Sequence, residues 1–154
     1  MLTVFTDGSC VEGNPGKVGG GYILMRDGNL LGGEGFPCGT GTNNRGELEA
    51  AIAGLKAGMG KLQQGEDLLL VSDSQYMLDG MLVIYRRCRK DVPNNDLWKR
   101  LLKQLNALAE NGSRCMTYWV RGHSATDGNK LCDALARQAA THNRRYKPQQ
   151  RCAR

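Results

Sequence analysis

The chain has 154 residues, 40% hydrophobic and 23% charged, which allows one domain with its own core and excludes a largely disordered chain. Its formal net charge of +6 is gathered in two clusters, Arg86, Arg87, Arg89 and Lys90, then Arg144, Arg145, Lys147, Arg151 and Arg154. Such clusters point to a polyanionic partner, with a solvated surface as the alternative, and no apolar run approaches the ~18 residues a membrane-spanning helix needs.

In chain order, Leu2-Thr3-Val4-Phe5-Thr6-Asp7 is rich in β-formers and predicts a short strand that stops at Gly8-Ser9. A glycine-rich loop follows. Two β-prone stretches, Gly20 to Met25 and Leu30 to Phe36, then flank Arg26-Asp27-Gly28-Asn29, where Asp-Gly signals a hairpin. Leu48, Ala51, Ile52, Leu55 and Met59 recur at helical spacing, with Asn43 or Asn44 available as N-cap. The run Leu68-Leu69-Leu70-Val71 suits a central strand buried on both faces in a parallel arrangement, ended by Ser72-Asp73-Ser74. Trp98, Leu101, Leu102, Leu105 and Leu108 mark a second helix between Asn94-Asn95-Asp96 and Asn111-Gly112, with Trp98 read as core. Met116 to Val120 reads as the last strand. Asn129 to Thr141 reads as the last helix, with Cys132, Leu135, Ala136 and Ala139 on one side.

This order predicts an α/β domain with a mixed five-stranded sheet, three antiparallel strands followed by two parallel ones, flanked by helices. The domain is expected over residues 1–142, leaving 143–154 as a flexible basic C-terminal tail. Six cysteines without C-x-x-C or zinc-type spacing favour a reducing compartment. The short apolar start lacks a basic stretch and predicts no signal peptide, so the expected location is the cytoplasm and the default state a monomer.

Asp7 and Asp73 each follow a predicted buried strand, where open α/β sheets place their ligands. Glu47 is expected in the first turn of the helix after the hairpin, and Asp133 borders the apolar stripe of the last helix, so all four could converge. Converging carboxylates stay ionised only around a cation, and oxygen ligands favour Mg²⁺ or Mn²⁺ over zinc. With no Ser/His/Asp or Cys/His arrangement in view, the natural chemistry is metal-assisted attack of water on a phosphodiester, with two ions clamping the attacking and leaving oxygens. Singly, each acid also reads as a cap or turn residue.

Phe5-Thr6-Asp7-Gly8-Ser9-Cys10, followed by Gly13-Asn14-Pro15-Gly16, resembles the opening of type 1 ribonucleases H. Thr42-Asn43-Asn44-Arg45-Gly46-Glu47-Leu48 resembles that family's helix-entry motif, and Ser72-Asp73-Ser74-Gln75-Tyr76 its second aspartate motif. Val120-Arg121-Gly122-His123, with Asn129 and Asp133, resembles the final motif, so the likeness runs from Met1 to about Ala140. It implies a ribonuclease H-like fold and an endonuclease that hydrolyses the RNA strand of RNA/DNA hybrids, leaving 5′-phosphate and 3′-hydroxyl ends. It also implies that Asp7, Glu47, Asp73 and Asp133 bind two Mg²⁺ ions, with Mn²⁺ as a substitute, and that His123 assists proton transfer or product departure.

By the same resemblance, Cys10, Asn14, Asn43, Asn44 and Gln75 contact sugars, base edges or backbone, and Thr42 helps hold a DNA phosphate. Arg86, Arg87, Arg89 and Lys90 stand where many bacterial relatives carry a longer basic protrusion that grips the DNA strand, so grip is weaker or differently placed here. Glu12 is an extra residue in the first loop, and Lys130 stands where relatives often have an acid. The rival readings are a non-catalytic hybrid-binding module and a DNA nuclease on the same fold.

Overall fold

The computed structural model describes residues 1–122 and 126–149. Its strands β1 (Leu2–Val11), β2 (Gly16–Arg26), β3 (Asn29–Gly41), β4 (Leu68–Ser72) and β5 (Cys115–Trp119) form one sheet in the order β3-β2-β1-β4-β5. β1 to β3 are antiparallel neighbours, and β4 and β5 run parallel to β1, as the sequence predicts.

The first strand differs from expectation. Gly8-Ser9 does not end β1, because β2 continues to pair with it as far as Val11↔Lys17. Its parallel pairing with β4, in contrast, stops at Thr6↔Ser72. Asp7 therefore lies inside an antiparallel strand and at the same time at the carboxyl end of the parallel part of the sheet.

The helices are α1 (Asn43–Met59), α2 (Gln75–Leu82), α3 (Ile84–Arg87), α4 (Asn95–Glu110) and α5 (Asp127–His142). Thr42, rather than Asn43 or Asn44, takes the N-cap position of α1, so Glu47 falls in the second turn and not the first. The link after Gln75 is itself helical: Ser74 caps α2 by accepting from the Met77 N–H at 3.2 Å, and the four-residue α3 follows.

One core joins Leu2 and Val4 of β1 to Leu48, Ile52 and Leu55 of α1 and to Trp98 and Leu101 of α4. Trp98 is fully buried there. A smaller cluster joins Ile23 of β2 to Cys132 and Leu135 of α5, with Phe5 packed against it. The sheet is thus covered on both faces, and the five described cysteines are free thiols.

Beyond α5 the basic tail, expected to be flexible, is docked on the sheet edge at Arg145 to Lys147. Tyr146 exchanges two 2.8 Å backbone hydrogen bonds with Gly35 of the edge strand β3, and Arg145 donates to Glu34 at 2.8 Å. An unpaired sheet edge offers such groups to any extended segment that reaches it. Among the described residues, no helix is long and apolar enough to cross a membrane.

Candidate active site

Two close backbone approaches build the site. A Cβ on Gly8 would collide with the backbone of Gly46 and Glu47, so glycine lets α1 come down onto β1 and sets Glu47 beside Asp7. A Cβ on Gly21 of β2 would lie 2.6 Å from the Cys132 carbonyl oxygen, so the lack of a side chain there lets α5 close over the other face and brings Asp133 in. Asp73 enters from β4, whose continuous apolar run buries the strand and delivers the residue after Ser72 to the same end of the sheet.

Asp7, Glu47 and Asp73 each present a carboxylate oxygen, and the three oxygens lie within 4.8 Å of one another. Asp133 lines the same cavity, of about 450 Å³, without joining that cluster. Its two oxygens instead face Arg137 one helical turn on, each 3.3 Å from Nη2. Of the four acids expected to converge, Asp7, Glu47 and Asp73 come within 4.8 Å of one another and Asp133 stands on the cavity wall, held by an ion pair.

Electrostatics mark the cluster as strained without a counter-charge. Burial, then the negative charges of Asp73 and Asp133, push the Asp7 carboxyl up to about 8. Burial likewise raises Glu47 well above the usual carboxylate range, with Asp7 and then Asp73 adding to it. Glu47 Oε2 is buried, and no donor among the described residues reaches it. Its Oε1 has a long 3.5 Å approach from Asn43 Nδ2, and the Gly8 backbone N–H offsets part of the upward push on the carboxyl. An all-oxygen donor set with two buried members and an acceptor that no described donor reaches fits a hard divalent cation, which would neutralise the repulsion and occupy that acceptor.

The remaining predicted residues surround this floor. Cys10 lines the carboxylate cavity, its thiol donating to the Gly13 carbonyl at 2.9 Å. Asn14 Oδ1 accepts from the Asn43 N–H at 3.1 Å and so ties the first loop to the start of α1. Thr42 is exposed, and Asn43, Asn44 and Gln75 line an adjoining cavity of about 380 Å³. His123 lies outside the described residues. The backbone leading to it is close to the cluster, since a Cβ on Gly122 would sit 3.1 Å from Asp73 Oδ2.

The basic cluster divides by contact. Arg86, Arg89 and Lys90 are exposed, although Arg89 also meets Asp91 at 3.5 Å. Arg87 is half-buried and stacks over the rings of Tyr76 and Trp98, 5.5 and 5.7 Å from their centroids, so part of its charge is engaged inside the fold. Sequence reasoning missed two rim residues. Arg137 was legible as the i+4 partner of Asp133. Trp119 carried no signal, because a strand-end tryptophan reads equally as core.

Fold and cavity together define an α/β domain with an oxygen-lined site, suited to a cation, at the ends of its parallel strands. The family model for RNase H matches residues 1–141. Ribonuclease H of Pseudomonas fluorescens (strain Pf-5) is 37% identical over 158 residues, covering 95% of this chain and 96% of that protein. Ribonuclease H of Oleidesulfovibrio alaskensis is 43% identical over 153 residues, covering 92% and 91%. Among solved structures, LC11-RNase H1 in complex with an RNA/DNA hybrid has the same fold, with a TM-score of 0.74 at 23% identity over 93% of this chain and 99% of that one. The chain belongs to the ribonuclease H family of hydrolases.

Proposed function

We propose that the protein is an endonuclease that hydrolyses the RNA strand of RNA/DNA hybrids, using two divalent cations, Mg²⁺ or Mn²⁺, and leaving 5′-phosphate and 3′-hydroxyl ends. The observation that carries this reading is the cluster of buried Asp7 and Glu47 with half-buried Asp73, whose oxygens crowd within 4.8 Å while no donor among the described residues reaches Glu47 Oε2. Family membership supports the chemistry, and a like-folded protein solved with an RNA/DNA hybrid supports the substrate.

In this reading Asp7, Glu47, Asp73 and Asp133 would hold the cations, Asp133 being free to join the other three once it parts from Arg137. Bound cations supply charge neutralisation of the scissile phosphate and a more acidic water. The protein's own part is positional. The Gly8 and Gly21 approaches fix the carboxylates, Asn14 secures the entry to α1, and Cys10, Asn43, Asn44 and Gln75 meet sugars, base edges or backbone. Thr42 takes a DNA phosphate, and His123 moves a proton or aids product departure. Arg86, Arg89 and Lys90 add sequence-independent phosphate attraction, and Arg87 contributes less because of its stacking. The same reading takes the protein as a cytoplasmic monomer.

The test compares cleavage of an RNA/DNA hybrid, an RNA duplex and a DNA duplex, with Mg²⁺ and with a chelator. Cation-dependent cutting of the RNA strand of the hybrid alone is expected. Binding without cutting at any Mg²⁺ or Mn²⁺ concentration would leave only a hybrid-binding module. Equal cutting of duplex DNA would favour a DNA nuclease.

A further inference from the structure

One aromatic side chain on the rim has no part in the scheme above. Trp119 ends β5 and pairs in register with Ser72, which places it level with the point where Asp73 leaves the sheet. Its indole N–H donates to the Asp73 backbone carbonyl at 3.2 Å, while 46% of the residue stays exposed. It lines the adjoining cavity with Asn44, Gln75 and Tyr76, and that cavity shares Asn43, Glu47 and Asp73 with the carboxylate cavity.

An exposed aromatic is ordinary by itself. Trp119 differs from Tyr85 and Tyr118, which are 75% and 60% exposed, in that it borders the carboxylates and its ring is tethered. A tethered ring presents a flat apolar face whose ordering cost is met before any ligand arrives. The amides of Asn44 and Gln75 beside it add donors and acceptors, so the rim pairs one apolar face with polar reach. In a duplex the bases are paired and stacked, and what remains for such a face is the sugar ring.

We infer that Trp119 is a substrate-contacting residue whose indole packs against a sugar ring of the strand that passes Asp73, setting which phosphodiester lies over Asp7, Glu47 and Asp73. This rests on the hybrid-cleaving reading. Contact with the strand is separate from the indole's bond to Asp73, and the two are separable by substitution. Trp119→Phe keeps a ring face and loses the N–H, whereas Trp119→Ala loses both.

The chain has two tryptophans, and Trp98 is fully buried, so quenching of fluorescence by acrylamide reports on Trp119. The probe is a short labelled RNA/DNA hybrid, titrated into the Asp7→Asn protein so that it is not cut, with anisotropy of the label measured in parallel. Saturable binding with matching protection of Trp119 from acrylamide is expected. In the otherwise unaltered enzyme, Trp119→Ala should raise KM for the hybrid roughly 3- to 10-fold with kcat within about two-fold, and Trp119→Phe should recover most of that loss. Circular dichroism of both variants checks folding.

Saturable anisotropy with no change in quenching would overturn the inference. So would equal falls in kcat for Trp119→Phe and Trp119→Ala with hybrid affinity untouched, because that pattern belongs to a residue that only positions Asp73. Absence of hybrid binding by anisotropy in the unaltered protein as well would overturn the hybrid reading itself, and this inference with it.

Discussion

The floor of the cavity and its α5 wall are built on different principles. On the floor, Asp7, Glu47 and Asp73 are fixed by backbone: strand pairing holds Asp7, the helix contact that Gly8 permits holds Glu47, and the end of a buried strand holds Asp73. On the wall, Asp133 is about a third exposed, and its side-chain partner among the described residues is Arg137, which is itself largely in solvent. The floor is forced into electrostatic conflict by packing, while the wall is adjustable at little cost. A ligand that neutralises the floor gains stability from the conflict it relieves, whereas one that engages Asp133 competes with a weak ion pair.

The largest effect belongs to the floor. Asp7→Asn should lower cleavage of an RNA/DNA hybrid by roughly 10³-fold or more, since a charge proposed to hold the cation is lost while the shape remains. The same substitution should make the cation-free protein more stable at pH 8, by roughly 1–3 kcal/mol in urea unfolding, because a buried like charge disappears. Activity and stability moving in opposite directions is the signature of a site held together against repulsion. A loss of both would instead mean that Asp7 supports the fold.

A second test uses pH. The Asp7 carboxyl titrates near 3.8 when unperturbed and about 8 in the fold, so the folded state binds its proton more tightly than the unfolded one. Its contribution to stability is therefore fully present below about 4 and is lost as pH rises through about 8. Glu47 moves in the same direction. The melting temperature in chelator should fall across this window, and saturating Mg²⁺ should restore it most at the alkaline end. A melting temperature that climbs with pH through the window in chelator would contradict the assignment.

The smallest effect belongs to the wall. Arg137→Ala should lower the Mg²⁺ concentration at half-maximal thermal stabilisation by roughly two- to five-fold, the range set by a largely exposed ion pair. Should Arg137→Ala raise that concentration, the guanidinium would be assisting cation binding and the contrast between floor and wall would fail.

The halves of the sheet were legible in the sequence for reasons that can be named. Leu68 to Val71 is too uniformly apolar for a half-exposed strand, and Asp27-Gly28 is a turn with few alternatives, so the antiparallel and parallel halves were both legible. The extent of β1 was not, because Gly8-Ser9 has the look of a strand end, and only the partner strand, Lys17 to Gly21, shows that pairing continues. The N-cap of α1 shifted to Thr42 for a similar reason: two successive asparagines offer competing starts, and their tertiary partners decide. A four-residue helix such as α3 has no periodicity to read. That Asp133 stands off the cluster in an ion pair is a matter of side-chain conformation, on which spacing is silent. The docking of Tyr146 on Gly35 depends on an open sheet edge more than a hundred residues away in sequence, and no local pattern encodes it.

Whether Asp7, Glu47 and Asp73 together hold a divalent cation can be read from anomalous diffraction of crystals grown at saturating Mn²⁺. A peak is expected within coordination distance of an oxygen from each of the three carboxylates, with Glu47 Oε2 among the ligands or turned toward it. An ordered site with no peak there, or a peak only elsewhere on the surface, would contradict the assignment.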